Sequence, residues 1–351
     1  MIRIEARTEA SANMVYAAPV IAVTLTMLAG IVLFMIMGQD PGLALYTFFV
    51  EPVSTFDGVT ELLVKATPLT LIGVGLSVGF RANVWNIGAE GQLTLGALAG
   101  GAVALYFYDV EGFYVLPLMI LASIAGGMAW AAIPAFLRTR YNANEILTSL
   151  MLTYVGLLVL SYLIHGPMKD PAGQGFPESK LFSDSALFPI LIEGYRLHFG
   201  WILALAAVAT IWVLFSRHII GFQIRVIGMA PRAAAFAGFK EKKLVWLSFM
   251  IAGATSGLAG LGEIAGPLGQ ITPSISPGYG FTAIIVAFLG RLHPLGILMA
   301  ALLMALSYLG GENAQITLNM PNAVTGVFQG MLLFFLLGSD VLIKYRLRFG
   351  R

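Results

Sequence analysis

Met14 begins an apolar stretch that reads MVYAAPVIAVTLTMLAGIVLFMIM and ends at Met37. None of its 24 residues carries a charge. At about 1.5 Å of rise per residue, about 20 apolar residues cross a hydrocarbon core about 30 Å thick. A secretory signal has a shorter apolar core and a basic leader, whereas Glu5 and Glu9 precede this stretch. We therefore expect a retained membrane helix.

Nine further apolar stretches bring the predicted number of membrane helices to ten. They cover residues 60–80, 88–108, 113–137, 145–164, 200–215, 244–262, 279–289, 294–309 and 323–337. Hydrophobic residues make up 58% of the chain and charged residues 11%, against roughly 25% charged in soluble domains. Lipid offers the backbone no hydrogen-bonding partner, so such stretches must be helical or sheltered in a bundle. The fold class is therefore an all-α integral membrane protein.

Basic residues predict the topology. With the amino terminus in the cytoplasm, sixteen of the twenty Lys and Arg residues fall on the cytoplasmic side, as the positive-inside rule requires. The exceptions are Lys65, Lys169, Lys180 and Arg196. This arrangement predicts both termini inside and one transmembrane domain over residues 1–351. It also predicts a cytoplasmic loop at 216–243 and an external loop at 165–199. The external loop is interpreted either as a lid or docking loop or as a plain connector.

Two glycine-rich stretches suggest an internal repeat. Asn86-Ile-Gly-Ala-Glu-Gly-Gln92 is similar to Gly260-Leu-Gly-Glu-Ile-Ala-Gly266, and five predicted spans separate them, so the copies would be inverted. The first half-repeat would cover about 59–164 and the second about 244–340. Chance similarity is the alternative, because the chain has 40 glycines.

Glycines four residues apart also predict close helix packing. The pairs are Gly96 with Gly100, Gly253 with Gly257, and Gly262 with Gly266.

The stretch from Phe80 to Gly96 places polar side chains and glycines at membrane depth. Irregular backbone is tolerated there only inside protein or beside a watery cavity, and ionisable groups at that depth suggest function. One interpretation is a broken segment whose polar residues line a translocation pathway. These residues are Asn83, Trp85, Asn86, Glu90 and Gln92. In the alternative, Trp85 anchors at the interface and the polar groups bond neighbouring helices.

The cytoplasmic loop contains a predicted surface helix. Pro231 suits a first helical position, the run Arg-Ala-Ala-Ala-Phe-Ala favours helix, and Gly238 would end it. Basic charge in this loop needs no further explanation, because any cytoplasmic loop would be basic.

Several chemistries are excluded or unsupported. The chain has no cysteine, and its four histidines show no ligand spacing, so we predict no metal site and no cofactor. It has no phosphate-binding Gly-x-x-x-x-Gly-Lys-[Ser/Thr] motif, so ATP hydrolysis would need another polypeptide. A net charge of +2 gives no reason to expect nucleic acid.

Asn83-Val-Trp-Asn-Ile-Gly-Ala-Glu-Gly-Gln-Leu93 closely resembles the signature of permease subunits of ATP-binding-cassette (ABC) importers, in the branch that serves nucleosides and simple sugars. Three further stretches agree in order and spacing, namely 144–151 with Tyr154, then 225–238, then 289–296. Thr153 departs from the pattern, because relatives often carry asparagine there.

The resemblance implies a type II importer permease in the bacterial cytoplasmic membrane that moves nucleosides, or alternatively simple sugars, by alternating access. Its implied partners are cytoplasmic ABC ATPase subunits, a second related permease in a heterodimer, an external solute-binding protein and the lipid bilayer. The predicted surface helix would dock into the ATPase. Its residues are Pro231, Arg232, Ala233, Ala234, Phe236 and Gly238.

Two rival classes remain. An ion-coupled secondary transporter also uses inverted repeats and broken helices, but it needs ion-binding charges at mid-membrane, and only Glu90 and Glu263 qualify. An intramembrane enzyme would need a constellation of Ser, His and Asp or paired metal ligands, which the predicted spans do not offer.

Overall fold

The computed structural model describes residues 2–6, 12–110, 112–173, 175–321 and 323–349, so Glu9 lies outside the described residues. The described residues contain thirteen α-helices. They are α1 (Ala12–Ile36), α2 (Pro41–Phe49), α3 (Phe56–Arg81), α4 (Ala89–Tyr106), α5 (Val115–Tyr141), α6 (Glu145–His165), α7 (Gly200–Arg217), α8 (Ile219–Met229), α9 (Pro231–Phe236), α10 (Glu241–Ile264), α11 (Tyr279–Leu289), α12 (Pro294–Leu318) and α13 (Ala323–Lys344). Short 3-10 helices cover Glu51–Val53 and Asp184–Ala186.

The all-α fold class is confirmed. All ten predicted stretches are helical, as α1, α3 to α7 and α10 to α13. Seven helices among the described residues are long and apolar enough to cross a membrane, namely α1, α3, α5, α6, α7, α10 and α12. At 11 residues, α11 rises only about 16 Å and cannot cross a bilayer alone. Helices α2 and α8 were not predicted.

The chain divides into two compact units, one comprising the residues up to 62 with those from 303, the other residues 63–302. In the first unit, Phe34 and Phe48 of α1 and α2 pack on Phe328 of α13 with ring centroids 5.4 and 4.6 Å away. Strand β1 (Ile2–Ala6), before α1, pairs antiparallel with β2 (Tyr345–Phe349), after α13. The described chain ends therefore meet, an arrangement that is compatible with an even number of spans. Their pairing was not predicted.

The second unit contains a glycine-lined junction of α4, α5 and α10. A Cβ atom added to Gly96 would overlap the backbone of Gly257, and one added to Gly127 would overlap the carbonyl oxygen of Gly253. The helices approach this closely because these positions have no side chain. The packing predicted for Gly96 and Gly257 is confirmed. Gly262 has no neighbour within 4 Å of such a Cβ, so the prediction for that residue was wrong.

Two interrupted elements run in opposite directions through the second unit. Helix α3 is antiparallel to α10, because Gly75 lies against Thr255 and Gly79 against Ser248. Residues 82–88 follow α3 without helix before α4 begins, and residues 265–278 follow α10 without helix before α11 begins. This arrangement supports an inverted repeat. The half-repeat bounds and the single domain stay predictions.

The two glutamates of the predicted repeat lie at opposite helix ends. Glu90 lies in the first turn of α4 and Glu263 in the last turn of α10, the helix ends that the inverted pairing assigned to them. Gly260 also packs on the Leu93 carbonyl oxygen, so the glycines of this stretch bring α4 and α10 together. The equivalence of 86–92 with 260–266 stays a prediction.

Candidate translocation site and coupling surface

Residues 82–88 form an irregular segment fastened into the helix bundle. Asn83 has a φ of +57°, a left-handed conformation that asparagine tolerates better than most residues. The Val84 N–H donates to the carbonyl oxygen of Gly79 at 2.9 Å, and the Ile87 N–H donates to Ser149 Oγ of α6 at 3.1 Å. The segment thus satisfies backbone groups inside protein, as its predicted depth requires.

Asn86 and Gln92 form a reciprocal amide pair. Asn86 Nδ2 donates to Gln92 Oε1 at 3.0 Å, and Gln92 Nε2 donates to Asn86 Oδ1 at 3.1 Å. Asn86 Oδ1 also accepts the Gly88 N–H at 3.0 Å. Both side chains are buried, so the pair holds the entry to α4 against its first turn.

Glu90 joins the amino ends of α4 and α11. Its side chain is buried in the first turn of α4, and its Oε2 accepts the Gly280 N–H of α11 at 2.6 Å. The Ser276 hydroxyl and the Gly278 amide also interact with the carboxyl group. A Cβ atom on Gly280 would overlap the backbone of Glu90, so this approach needs glycine.

Trp85 and Asn83 lie nearer the surface than the other three predicted pathway residues. The Trp85 ring is half-buried and stacks on Phe288 of α11 at 5.6 Å, and its Nε1 donates to Asn83 Oδ1 at 3.1 Å. Asn86, Glu90 and Gln92 bond neighbouring groups, as the structural alternative expected. Whether the five line a route stays a prediction.

The loop 165–199 pairs along the irregular segment that leads to α11. The Ser179 N–H donates to the Ile271 carbonyl oxygen at 3.0 Å, the Phe182 N–H to that of Gly269 at 2.8 Å, and the Phe188 N–H to that of Ala265 at 2.8 Å. Gln270 Nε2 also donates to Glu178 at 2.9 Å. The loop is therefore attached to the bundle, and its role as a lid or docking loop stays a prediction.

Between this loop and the end of α4 lies an open cavity of about 640 Å³. Its lining includes Tyr108, Asp170, Glu178, Lys180 and Gln270. The Lys180 ammonium lies 4.8 Å from the Tyr108 ring centroid, a cation–π contact. The lining mixes both signs of charge.

His198 anchors the end of the same loop. It is buried, stacks on Phe188 at 5.6 Å, and accepts the Gly200 N–H at Nδ1 over 3.2 Å. Burial, with a smaller contribution from the charge of Arg196, lowers the pKa of His198 to about 4. The imidazole is therefore neutral at pH 7. Four scattered histidines in the sequence gave no signal for this role.

The predicted surface helix is α9, which begins at Pro231 as expected. Gly238 has a φ of +76°. The Gly238 N–H donates to the Ala235 carbonyl oxygen, and the Phe239 N–H donates to the Ala234 carbonyl oxygen, both at 3.0 Å. These two bonds form the Schellman motif with which glycine ends a helix. Phe236 is 95% exposed while Ala234 is buried, so the helix presents an apolar knob.

Helix α8 connects this surface to the irregular segment. A Cβ atom on Gly228 would overlap the Arg81 carbonyl oxygen at the end of α3. The Arg81 guanidinium lies 3.9 Å from the ring centroid of Phe215, and its Nε donates to the Leu292 carbonyl oxygen at 3.0 Å. Arg81, the residue just before the 82–88 segment, therefore contacts α7, α8 and the turn that follows α11.

Within the described ranges, no group of three or more His, Asp or Glu side chains could hold a metal ion. Interrupted helices around a polar centre, with a helix presented at one end, define the class as a multi-pass membrane transport protein. Residues 58–337 match the family described as "Branched-chain amino acid transport system / permease component", and the chain belongs to this family. It is a transport subunit, not an enzyme.

Three relatives show the range of this similarity. The glucose ABC transporter permease protein TsgB13 of Haloferax volcanii is 37% identical over 98% of this chain and 93% of its own. The guanosine ABC transporter permease proteins NupP and NupQ of Bacillus subtilis are each 30% identical. NupP aligns over 94% of both chains, and NupQ over 70% of this chain and 78% of its own. Among solved structures, PsaBC from Streptococcus pneumoniae in complex with Fab is similar at a TM-score of 0.45 and 11% identity, over 81% of this chain and 91% of that one.

Proposed function

We propose that this chain is the permease subunit of an ATP-driven importer that moves nucleosides across the cytoplasmic membrane by alternating access. The observation that supports the proposal is a continuous series of contacts between α9 and the polar centre. The exposed knob of Phe236 lies on α9, α9 follows α8, and Gly228 of α8 abuts Arg81, after which the 82–88 segment leads to Glu90. Force applied to α9 by an ATPase would reach the polar centre through packed backbone.

The cargo follows from the relatives and from the polar centre. Two of the three relatives described above carry guanosine, a nucleoside. The exposed amide of Asn83 and the half-buried aromatic face of Trp85 suit an uncharged solute that is flat at one end and rich in hydroxyls at the other, and the buried pair of Asn86 and Gln92 supports the segment that carries them. Glucose is the second candidate, because the 37% identical relative carries it.

The partners we propose are two cytoplasmic ATPase subunits, a second permease and an external solute-binding protein. The chain is similar to both NupP and NupQ, two different guanosine permeases of one organism, which favours a heterodimer. The attached loop 165–199 and its cavity of about 640 Å³ give the binding protein a shaped surface. Both termini would face the cytoplasm.

Reconstitution tests the function. The chain, its second permease, the ATPase and the binding protein are assembled in proteoliposomes, and uptake of labelled guanosine and glucose is measured with ATP and with a non-hydrolysable analogue. We expect ATP-dependent uptake of guanosine. Uptake of glucose alone would select the second candidate. Uptake without ATP that collapses with an uncoupler would contradict the proposal.

A further inference from the structure

Two helix amino ends converge on one point of the second unit. Each helix leaves N–H groups of its first turn without partners inside the helix, and its dipole places about half a positive charge at that end. The first turns of α4 and α11 meet because Gly280 lies directly against the backbone of Glu90. Two such ends together are a strong environment for an anion.

The protein places its own carboxyl group at this point. Glu90 is only 4% exposed, and the contacts made to its carboxyl group come from donors, namely the Gly280 and Gly278 amides and the Ser276 hydroxyl. Ser276 is in turn fixed, because its Oγ accepts the N–H groups of Gly278 and Tyr279 at 3.1 and 2.9 Å. A carboxylate only accepts hydrogen bonds, and it fits this set of donors.

Broken helices in transporters usually point their amino ends at an anionic group of the solute. In this protein the Glu90 carboxyl group already occupies the position between the two amino ends. We propose that Glu90 is a built-in counter-ion, whose carboxylate fills the anion site between the amino ends of α4 and α11 and so restricts this point of the route to uncharged solutes. The inference rests on the proposed transport function, which makes the polar centre part of a route.

Chemical rescue tests the counter-ion role. The variant Glu90→Ala leaves a space where acetate can replace the lost carboxylate, whereas Glu90→Gln keeps the shape and loses the charge. The comparison variant is Glu263→Ala, which removes another buried carboxyl group, in the last turn of α10, and leaves Glu90 in place. The thermal unfolding of each purified transporter is compared in acetate and in gluconate, a larger anion, at equal ionic strength.

We expect acetate to raise the Tm of Glu90→Ala by about 2–4 °C relative to gluconate. Wild type, Glu263→Ala and Glu90→Gln should show no such difference, because in each of them the side chain at position 90 still fills the site. An equal response in Glu263→Ala, or no response in Glu90→Ala, would overturn the proposal. So would a response of Glu90→Gln as large as that of Glu90→Ala, because the anion would then bind elsewhere.

Transport tests the restriction to uncharged solutes. In proteoliposomes, inorganic phosphate should inhibit uptake of the uncharged cargo by Glu90→Ala several-fold and leave wild type unaffected. Equal inhibition of both would refute the restriction. If wild type shows no ATP-dependent uptake, the proposed function fails, but the unfolding measurement still decides whether Glu90 fills an anion site.

Discussion

The side-chain amides of Asn86 and Gln92 bind each other through two hydrogen bonds, of 3.0 and 3.1 Å, while both are buried. Replacing either residue leaves buried amide groups of the other without their partner, which costs about 1–3 kcal/mol. We therefore expect Asn86→Ala and Gln92→Ala each to lower the free energy of unfolding by about that amount, measured by denaturant unfolding in detergent micelles.

The double variant Asn86→Leu with Gln92→Met is the sharper measurement, because it removes both polar groups and keeps the volume. It should lose less stability than the sum of the two alanine variants. Gln315→Ala, which removes an exposed amide of α12, should change stability by less than about 0.5 kcal/mol. If the double variant loses as much stability as the two alanine variants together, the two amides are not coupled.

The junction of α4, α5 and α10 predicts a contrast within one helix. A Cβ atom at Gly257 would overlap the Ser123 carbonyl oxygen of α5, whereas one at Gly262 meets nothing within 4 Å. We expect Gly257→Ala to lower stability by about 1–3 kcal/mol through overpacking, and Gly262→Ala to be neutral or slightly stabilising. Thermal unfolding of the two variants makes the comparison. Equal effects would argue against the close helix approach.

Features encoded locally were predictable from the sequence. Membrane helices follow from long apolar runs, and the bounds of α9 follow from Pro231 and Gly238, whose backbone preferences act within a few residues. Glu90 stood out because an ionisable group at membrane depth is rare. Its partner did not, because Gly280 lies 190 residues away.

The contacts that the sequence did not predict join residues far apart in the chain. The bonds from Ser179 to Ile271 and between the terminal strands join residues far apart in sequence, and no local pattern marks them. The repeat stays a prediction, because glycines that pack helices together look alike wherever they occur and do not by themselves mark equivalent positions. A topological repeat is read from helix directions, which a single sequence does not contain.

The exposed knob of α9 predicts loss of coupling on substitution. Arg232→Glu with Phe236→Asp should abolish ATP-dependent uptake and co-purification of the ATPase, because both side chains are exposed and make no packing contribution. Membrane insertion should be unchanged. The matched control is Phe113→Asp. Phe113 is 93% exposed and lies just before the amino end of α5, whereas Arg138, on the predicted cytoplasmic side, lies at the carboxyl end of that helix. Normal ATPase association in the double variant would refute docking through α9.

His198 predicts how pH acts on the loop 165–199. Its pKa of about 4 in the folded chain lies below the ordinary 6.5, so between these values the unfolded chain binds a proton that the folded chain does not. The stabilisation by neutral His198 is therefore full above pH 6.5 and falls as the pH drops towards 4, by up to about 3 kcal/mol. Hydrogen exchange at the Phe182 and Phe188 amides should therefore lose protection between pH 7 and 5, measured relative to the intrinsic rate, which itself falls on acidification. In His198→Asn, which keeps an acceptor for the Gly200 N–H and does not titrate, this loss of protection should disappear; if it persists, another group controls the loop.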